Sequence, residues 1–176
     1  LYIHTTNQHR RRFMKITVIL TGGTIACKTE NHIMNPQTDS AYSIINMYKS
    51  QINGNIDFTA VQPFNILSEI YTSKTYNLLL DYLYTLDFSD SDGVIITHGS
   101  DTLSYTSALV AMIMPNVKIP VVLTAADYPP DNSLSNALSN FSAAVEFISA
   151  KTPGIFTAYG DKGSTNIYLA TRLSEA

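Results

Sequence analysis

The sequence is short of charge, of cysteine and of long apolar runs. Asp, Glu, Lys and Arg make up only 14% of its 176 residues, and the net charge is −3. A nucleic-acid footprint needs basic residues gathered on one face, so a chain this weakly and negatively charged argues against one. The basic run Arg10-Arg11-Arg12 sits in a polar N-terminal stretch and is diluted by the rest of the chain. A single cysteine, Cys27, excludes an internal disulfide and has no partners for a zinc site. It fits a reducing, cytoplasmic compartment. No apolar run reaches the ~20 residues needed to cross a bilayer, so no membrane partner is expected.

Hydrophobic residues account for 45% of the chain, enough for one domain with a substantial core. Residues 1–13 are polar, lack periodicity and lack the apolar centre of a secretory signal. They are expected to be a disordered extension. Met14-Lys15, followed at once by a strand, reads as the natural start of a domain spanning 14–176. That domain stops just beyond a strand-like run, as though cut.

Strand-like runs of β-branched and apolar residues occur at Ile16–Leu20, Ile56–Val61, Gly93–Thr97, Val121–Thr124, Ile155–Ala158 and Ile167–Ala170. Helical spacing lies between them. Leu79, Tyr82, Leu83 and Leu86 form one stripe, and Leu109, Met112 and Ile113 mark a second. Leu134, Ala137, Leu138, Phe141, Val145 and Ile148 form a third, entered through Asn132-Ser133 as its cap. Such alternation predicts an α/β fold: a doubly wound, mostly parallel sheet with helices on both faces. Residues 27–43, rich in Asn, Ser, Thr and Pro, read as a long loop, the kind that serves as a lid or is disordered.

In such sheets ligands bind beyond the carboxyl ends of the strands. Thr21-Gly22-Gly23-Thr24, Thr97-His98-Gly99-Ser100-Asp101-Thr102 and the segment 124–131 all fall there. The bland reading of the first is a tight strand exit, and on that motif alone it is the better one. A phosphate cradle fails, because neither G-x-G-x-x-G nor Gly-Lys-Ser/Thr is present. The functional reading makes Thr24 a nucleophile beside backbone amides able to hold an oxyanion. In the second motif Ser100, Asp101 and Thr102 all suit a helix cap, yet a cap needs only one of them. His98 alone reads as structural, and Cys27 as a bystander.

The segments ILTGGTIA (19–26) and GVIITHGSDT (93–102) resemble the paired TGGTIA and THGTDT signature of the bacterial-type L-asparaginase family. Residues 120–141 resemble the family segment that comes next. The resemblance implies an N-terminal α/β domain, with the family's smaller C-terminal domain absent from this chain. It further implies hydrolysis of L-asparagine, and in some members glutamine, to the acid (L-aspartate from asparagine) and ammonia through an acyl-threonine, with no cofactor and no metal, by a homodimer or homotetramer. By position it makes Thr24 the nucleophile, Ser100 the second hydroxyl and Asp101 the carboxylate that grips the substrate's amino group. Backbone groups near Gly23 and Ser100 would hold the oxyanion. Ser68-Glu69 match the family's substrate-binding pair, and Tyr42 its lid tyrosine. Ser100 stands where threonine is usual, and Asn136-Ala137 where Asp-Gly is common. The catalytic lysine expected near the end is matched by Arg172, which stays protonated and is expected to pair with Asp101 and orient Ser100 as electrostatic support rather than act as a base; the alternatives are a lysine beyond Ala176 or Lys162. Two other readings stand beside this one: a non-catalytic amino-acid-binding domain, and an amidotransferase-type amidase subunit.

Overall fold

The computed structural model describes residues 13–30, 33–36, 42–52, 54–161 and 163–174. The expected extension at 1–13 lies, except for Phe13, outside the described residues, as does Lys162. Six strands form one sheet: β1 (Met14–Leu20), β4 (Ile56–Val61), β5 (Gly93–Thr97), β6 (Pro120–Thr124), β7 (Gly154–Asp161) and β8 (Ser164–Leu169). Their order across it is β4-β1-β5-β6-β7-β8. The first five are parallel, and β8 returns antiparallel along β7. All six expected strands are present.

The strands β5 and β6 are buried at every position, as a sheet covered on both faces requires. One face packs against α1 (Ser43–Gln51) and α4 (Ala137–Ser149), with Ile16, Val18, Ile95, Val122, Tyr48 and Phe141 in a common core. The other packs against α2 (Ser73–Thr85) and α3 (Leu103–Ile113), through Ile19, Val94, Ile96, Leu79, Leu83 and Val110. The fold is therefore doubly wound. From β1 the chain crosses to β4 on one side and then to β5 on the other, so the winding reverses at the β1/β5 junction. Open α/β sheets place their ligand crevice at such a reversal.

Several local expectations need correction. The stretch read as one loop over 27–43 contains an antiparallel hairpin, β2 (Cys27–Glu30) with β3 (Ile33–Pro36), in a sheet of its own. Residues 37–41 of that stretch lie outside the described residues. Helix α1, missed in the sequence, comes directly after and buries Ile44, Ile45 and Tyr48 at i, i+1, i+4 spacing.

Helix α4 begins at Ala137 rather than after Asn132-Ser133, because local polar bonds hold the intervening residues in turns. Asn132 Oδ1 accepts from the Leu134 amide (2.9 Å), and Ser135 Oγ accepts from the Ala137 amide (3.1 Å) while donating to the Tyr128 carbonyl (2.8 Å). Leu134 is consequently 63% exposed. On α3 the buried stripe is Leu103, Thr106, Ser107 and Val110, whereas Met112 is 69% exposed. A stripe half made of hydroxyl residues gives no hydrophobic period to read.

Phe141 is fully buried and meets the rings of Tyr48 and Phe58 at 5.7 and 6.0 Å. Phe141→Ala is expected to lower stability by about 3–5 kcal/mol, from lost burial plus a cavity, as measured by urea unfolding.

Candidate active site

Three loops leave the carboxyl edge beside the β1/β5 reversal and pack backbone to backbone. Gly23 holds φ at 77°, a conformation that disfavours side chains, and a Cβ there would overlap the backbone of Gly99. A Cβ on Gly99 would in turn overlap Ser68 Oγ. The loop from β4 is tied in through its backbone: the Gly23 amide donates to the Ile66 carbonyl (3.2 Å), and the Ile66 amide to the Thr21 carbonyl (3.1 Å). The two glycines are thus sites of close approach, and the residues after each, Thr24 and Ser100, emerge on either side of one contact.

Beneath these loops lies a buried polar layer. Thr21 Oγ1 donates to the Thr97 carbonyl (2.7 Å) and accepts from Tyr71 Oη (3.2 Å). The Tyr71 ring meets His98 edge-on at 5.0 Å. His98 is wholly buried, with Nδ1 2.8 Å from the Gly99 carbonyl and Nε2 3.0 Å from Thr106 Oγ1. Burial draws the imidazole down to about 4, only partly offset by its bond to Gly99, so it is neutral near pH 7. Burial also pushes the Tyr71 phenol up to about 12, against the opposing effect of its bond to Thr21. Cys27 is buried and donates to the Gly23 carbonyl (3.3 Å); burial first, then the charge of Glu69, raises its thiol to about 11. It is a structural thiol, not a nucleophile.

Above this layer the polar groups are unspent. Thr24 opens a 3-10 helix (Thr24–Ala26) and is half-buried. Ser100 and exposed Asp101 lie in a second (Ser100–Thr102) that runs into α3, and no side chain caps either that turn or α3. Capping therefore does not account for these residues; Thr102 Oγ1 reaches the Ser68 carbonyl instead (3.5 Å). Ser68 is 1% exposed, and its hydroxyl has no hydrogen-bond partner among the described residues. Such an orphan costs stability unless something else meets it. Glu69 is exposed beside it, giving the edge two carboxylates.

The structure brings Gly23, Thr24, Ser68, Glu69, Ser100 and Asp101 to one edge. Tyr42 is an exposed residue at the start of α1, a helix whose Ile44 and Ile45 share a core with Ile25 and Ala26 beside Thr24. Arg172 is not brought there. Leu169 pairs with Phe156 near the start of β7, and the next turn (Ala170–Arg172) continues away from the carboxyl edge. Its neighbours Ala170 and Thr171 share a pocket with Met114, Pro115 and Gly154, all at the amino-terminal edge. The expected pairing of Arg172 with Asp101 is thereby corrected: β8 carries it down the sheet, away from the site.

Two contributors were not legible. Tyr71 comes after the Ser68–Ile70 turn with no periodic signal, and its role depends on Thr21 across the fold. Asn136, read only as a departure, is buried and bonds three ways. Its Oδ1 accepts from the Asp127 amide, and its Nδ2 donates to Asp127 Oδ2 and to the Gly160 carbonyl, all at 2.9 Å. Tyr159 donates to the other oxygen of Asp127, and burial followed by that bond raises its phenol.

Residues 15–175 match the family model described as asparaginase, N-terminal. The chain belongs to the asparaginase family. It is 33% identical over 163 residues to an L-asparaginase of Thermococcus kodakarensis, covering 92% of this chain and 48% of that protein. It is 32% identical over 141 residues to a glutamyl-tRNA(Gln) amidotransferase subunit of Thermoplasma acidophilum, covering 76% of this chain and 32% of that one. The solved thermostable L-asparaginase from Thermococcus kodakarensis superposes with a TM-score of 0.75 at 29% identity, over 90% of this chain and 47% of that one. The chain thus spans about half the length of this asparaginase. Among the described residues no helix is long and apolar enough to cross a membrane, and no group of three or more His, Cys, Asp or Glu could hold a metal ion.

Because His98 is depressed in the folded asparaginase domain to about 4 from an ordinary 6.5, the unfolded chain binds its proton first. Its contribution is present above pH 6.5 and is lost as pH falls from 6.5 towards 4, by up to about 3 kcal/mol. Urea unfolding at pH 7, 5.5 and 4.5 should show this decline, and His98→Asn should remove that part of it.

Proposed function

We propose that this domain carries the catalytic residues of an amidohydrolase that converts L-asparagine to L-aspartate and ammonia. The observation that carries the reading is Ser68 Oγ, a wholly buried hydroxyl with no partner among the described residues, lodged against Gly99 just before Ser100 and Asp101. A hydroxyl kept in that state suits a ligand carboxylate. Asp101 and Glu69, both exposed at the same edge, suit the ammonium of the same ligand. An amino acid gripped at both ends then presents its side-chain amide to Thr24.

In this reading Thr24 Oγ1 attacks the carboxamide carbon and gives up its proton through Ser100 Oγ. The oxyanion is held by backbone N–H groups near Gly23 and Ser100. Collapse of the tetrahedral intermediate returns a proton to the departing nitrogen, which leaves as ammonia. Water then cleaves the acyl-threonine ester, releases aspartate and restores Thr24. No metal or cofactor enters these steps. The L-asparaginase from Thermococcus kodakarensis supports this choice of substrate, and assembly as a homodimer or homotetramer in the cytoplasm belongs to the same proposal.

A second reading rests on the amidotransferase relatives: an amidase that frees ammonia for use by a partner protein. Both readings place the same chemistry on Thr24 and differ in who uses the product. A non-catalytic amino-acid-binding domain is the third, and it requires Thr24 to be dispensable.

In the full-length protein, Thr24→Ala is expected to lower ammonia release from asparagine at least ~10³-fold while aspartate binding, followed by calorimetry, survives. Equal loss of binding and of folding would return Thr24 to a turn-forming role. Arg172→Ala should leave kcat within about twofold, because its turn lies at the opposite edge of the sheet. A large loss of kcat in a folded Arg172→Ala protein would reinstate it in the relay.

A further inference from the structure

The neutral imidazole of His98 has one proton arrangement that satisfies both of its contacts. A carbonyl oxygen only accepts, so the bond to Gly99 requires hydrogen on Nδ1. Neutral Nε2 is then bare and accepts from Thr106 Oγ1. Thr106 lies on α3, and its neighbour Ser107 accepts from Thr157 Oγ1 (3.0 Å), so two polar pairs pin that helix to the sheet. With the Tyr71 ring at its edge and no exposed surface, His98 has no route to a substrate.

Its leverage is on the peptide after Gly99. No described peptide bond is cis, and in a planar trans peptide the C=O and the next N–H point in opposite directions. Holding the Gly99 carbonyl on the imidazole side turns the Ser100 N–H away from the imidazole. Ser100 begins its 3-10 turn, so that amide has no partner within the turn. The orphaned Ser68 Oγ abuts the same glycine.

We propose that His98 is a positioning residue: its Nδ1–H tautomer, fixed by Thr106, locks the Gly99–Ser100 peptide so that the Ser100 N–H faces the carboxamide oxygen of a substrate attacked by Thr24. The inference rests on the amidohydrolase reading for its substrate but not for the peptide geometry. The sequence motif around Gly99 thus contains both an oxyanion donor and the side chain that aims it. A core-filling histidine would need only the ring's volume; this one also needs its donor.

The test uses the full-length protein with His98→Leu, His98→Asn and Thr106→Val. Asparagine's Nδ2 stands near the place of Nδ1 and keeps the donor. In folded protein, His98→Leu should lower kcat about 10²–10³-fold, the loss typical of one oxyanion donor, with KM within about threefold. His98→Asn should recover kcat to within about tenfold of wild type. Thr106→Val should mix the tautomers, moving the ¹⁵N imidazole resonances and giving an intermediate kcat. Wild type should show an Nδ1-protonated imidazole that does not titrate between pH 5 and 8.

A folded His98→Leu protein with kcat within threefold of wild type overturns the proposal. So does failure of His98→Asn to restore a folded protein's activity, or an Nε2-protonated wild-type spectrum. If wild type itself releases no ammonia from asparagine or glutamine, the amidohydrolase reading fails instead. The geometry is then decided by the tautomer and by the Ser100 amide resonance, which aspartate should shift in wild type and not in His98→Leu.

Discussion

Everything at the carboxyl edge depends on two glycines in contact. Gly23 and Gly99 end the exits from adjacent parallel strands, and neither tolerates a Cβ, because each faces atoms of the next loop. Their contact sets the spacing between the residues after them, Thr24 and Ser100. It also brings Ser68 against Gly99 and thereby draws in the loop from β4. Side chains at these points would force the three loops apart, and the hydroxyls would then belong to separate turns.

The edge is built in two layers with opposite electrostatics. Below, the groups are neutral and, apart from the buried Thr97 Oγ1, bonded: Tyr71 to Thr21, Thr21 to the Thr97 carbonyl, Thr106 to His98, His98 to Gly99. A buried charge here would be expensive, and the depressed imidazole shows the protein avoiding it. Above, Thr24, Ser100 and Asp101 are not engaged by caps, and Ser68 Oγ stands alone. The rigidity of the lower layer is what allows the upper one to stay unpaired yet positioned.

How much was legible depends on where the physical signal resided. Strands β5 and β6 announced themselves because burial on both faces demands unbroken β-branched runs such as Val94-Ile95-Ile96. The Thr24 and Ser100 motifs were legible through their joint resemblance to a family signature, since Gly22-Gly23 before Thr24 and the single Gly99 before Ser100 read by themselves as tight strand exits. Helix α3 was misread on its inner face, where Thr106 and Ser107 replace apolar residues in order to bond His98 and Thr157. The start of α4 was displaced by Asn132 and Ser135, whose side chains bond turns as readily as caps. Tyr71 and Asn136 stayed hidden because their partners are distant in sequence: Thr21 is 50 residues away and Gly160 is 24.

Arg172 shows most clearly why position in a motif is weaker than position in a sheet. Sequence order put it near the expected place of a relay cation, but the sign of the strand decides which edge a residue reaches. Strands β1, β4, β5, β6 and β7 all run towards the site, so residues just past their ends gather there. Strand β8 runs the other way, and the turn after it begins at the far edge. In the proposed reaction, a cation that assists Thr24 would have to reach it at the carboxyl edge, where Asp101 and Glu69 lie exposed.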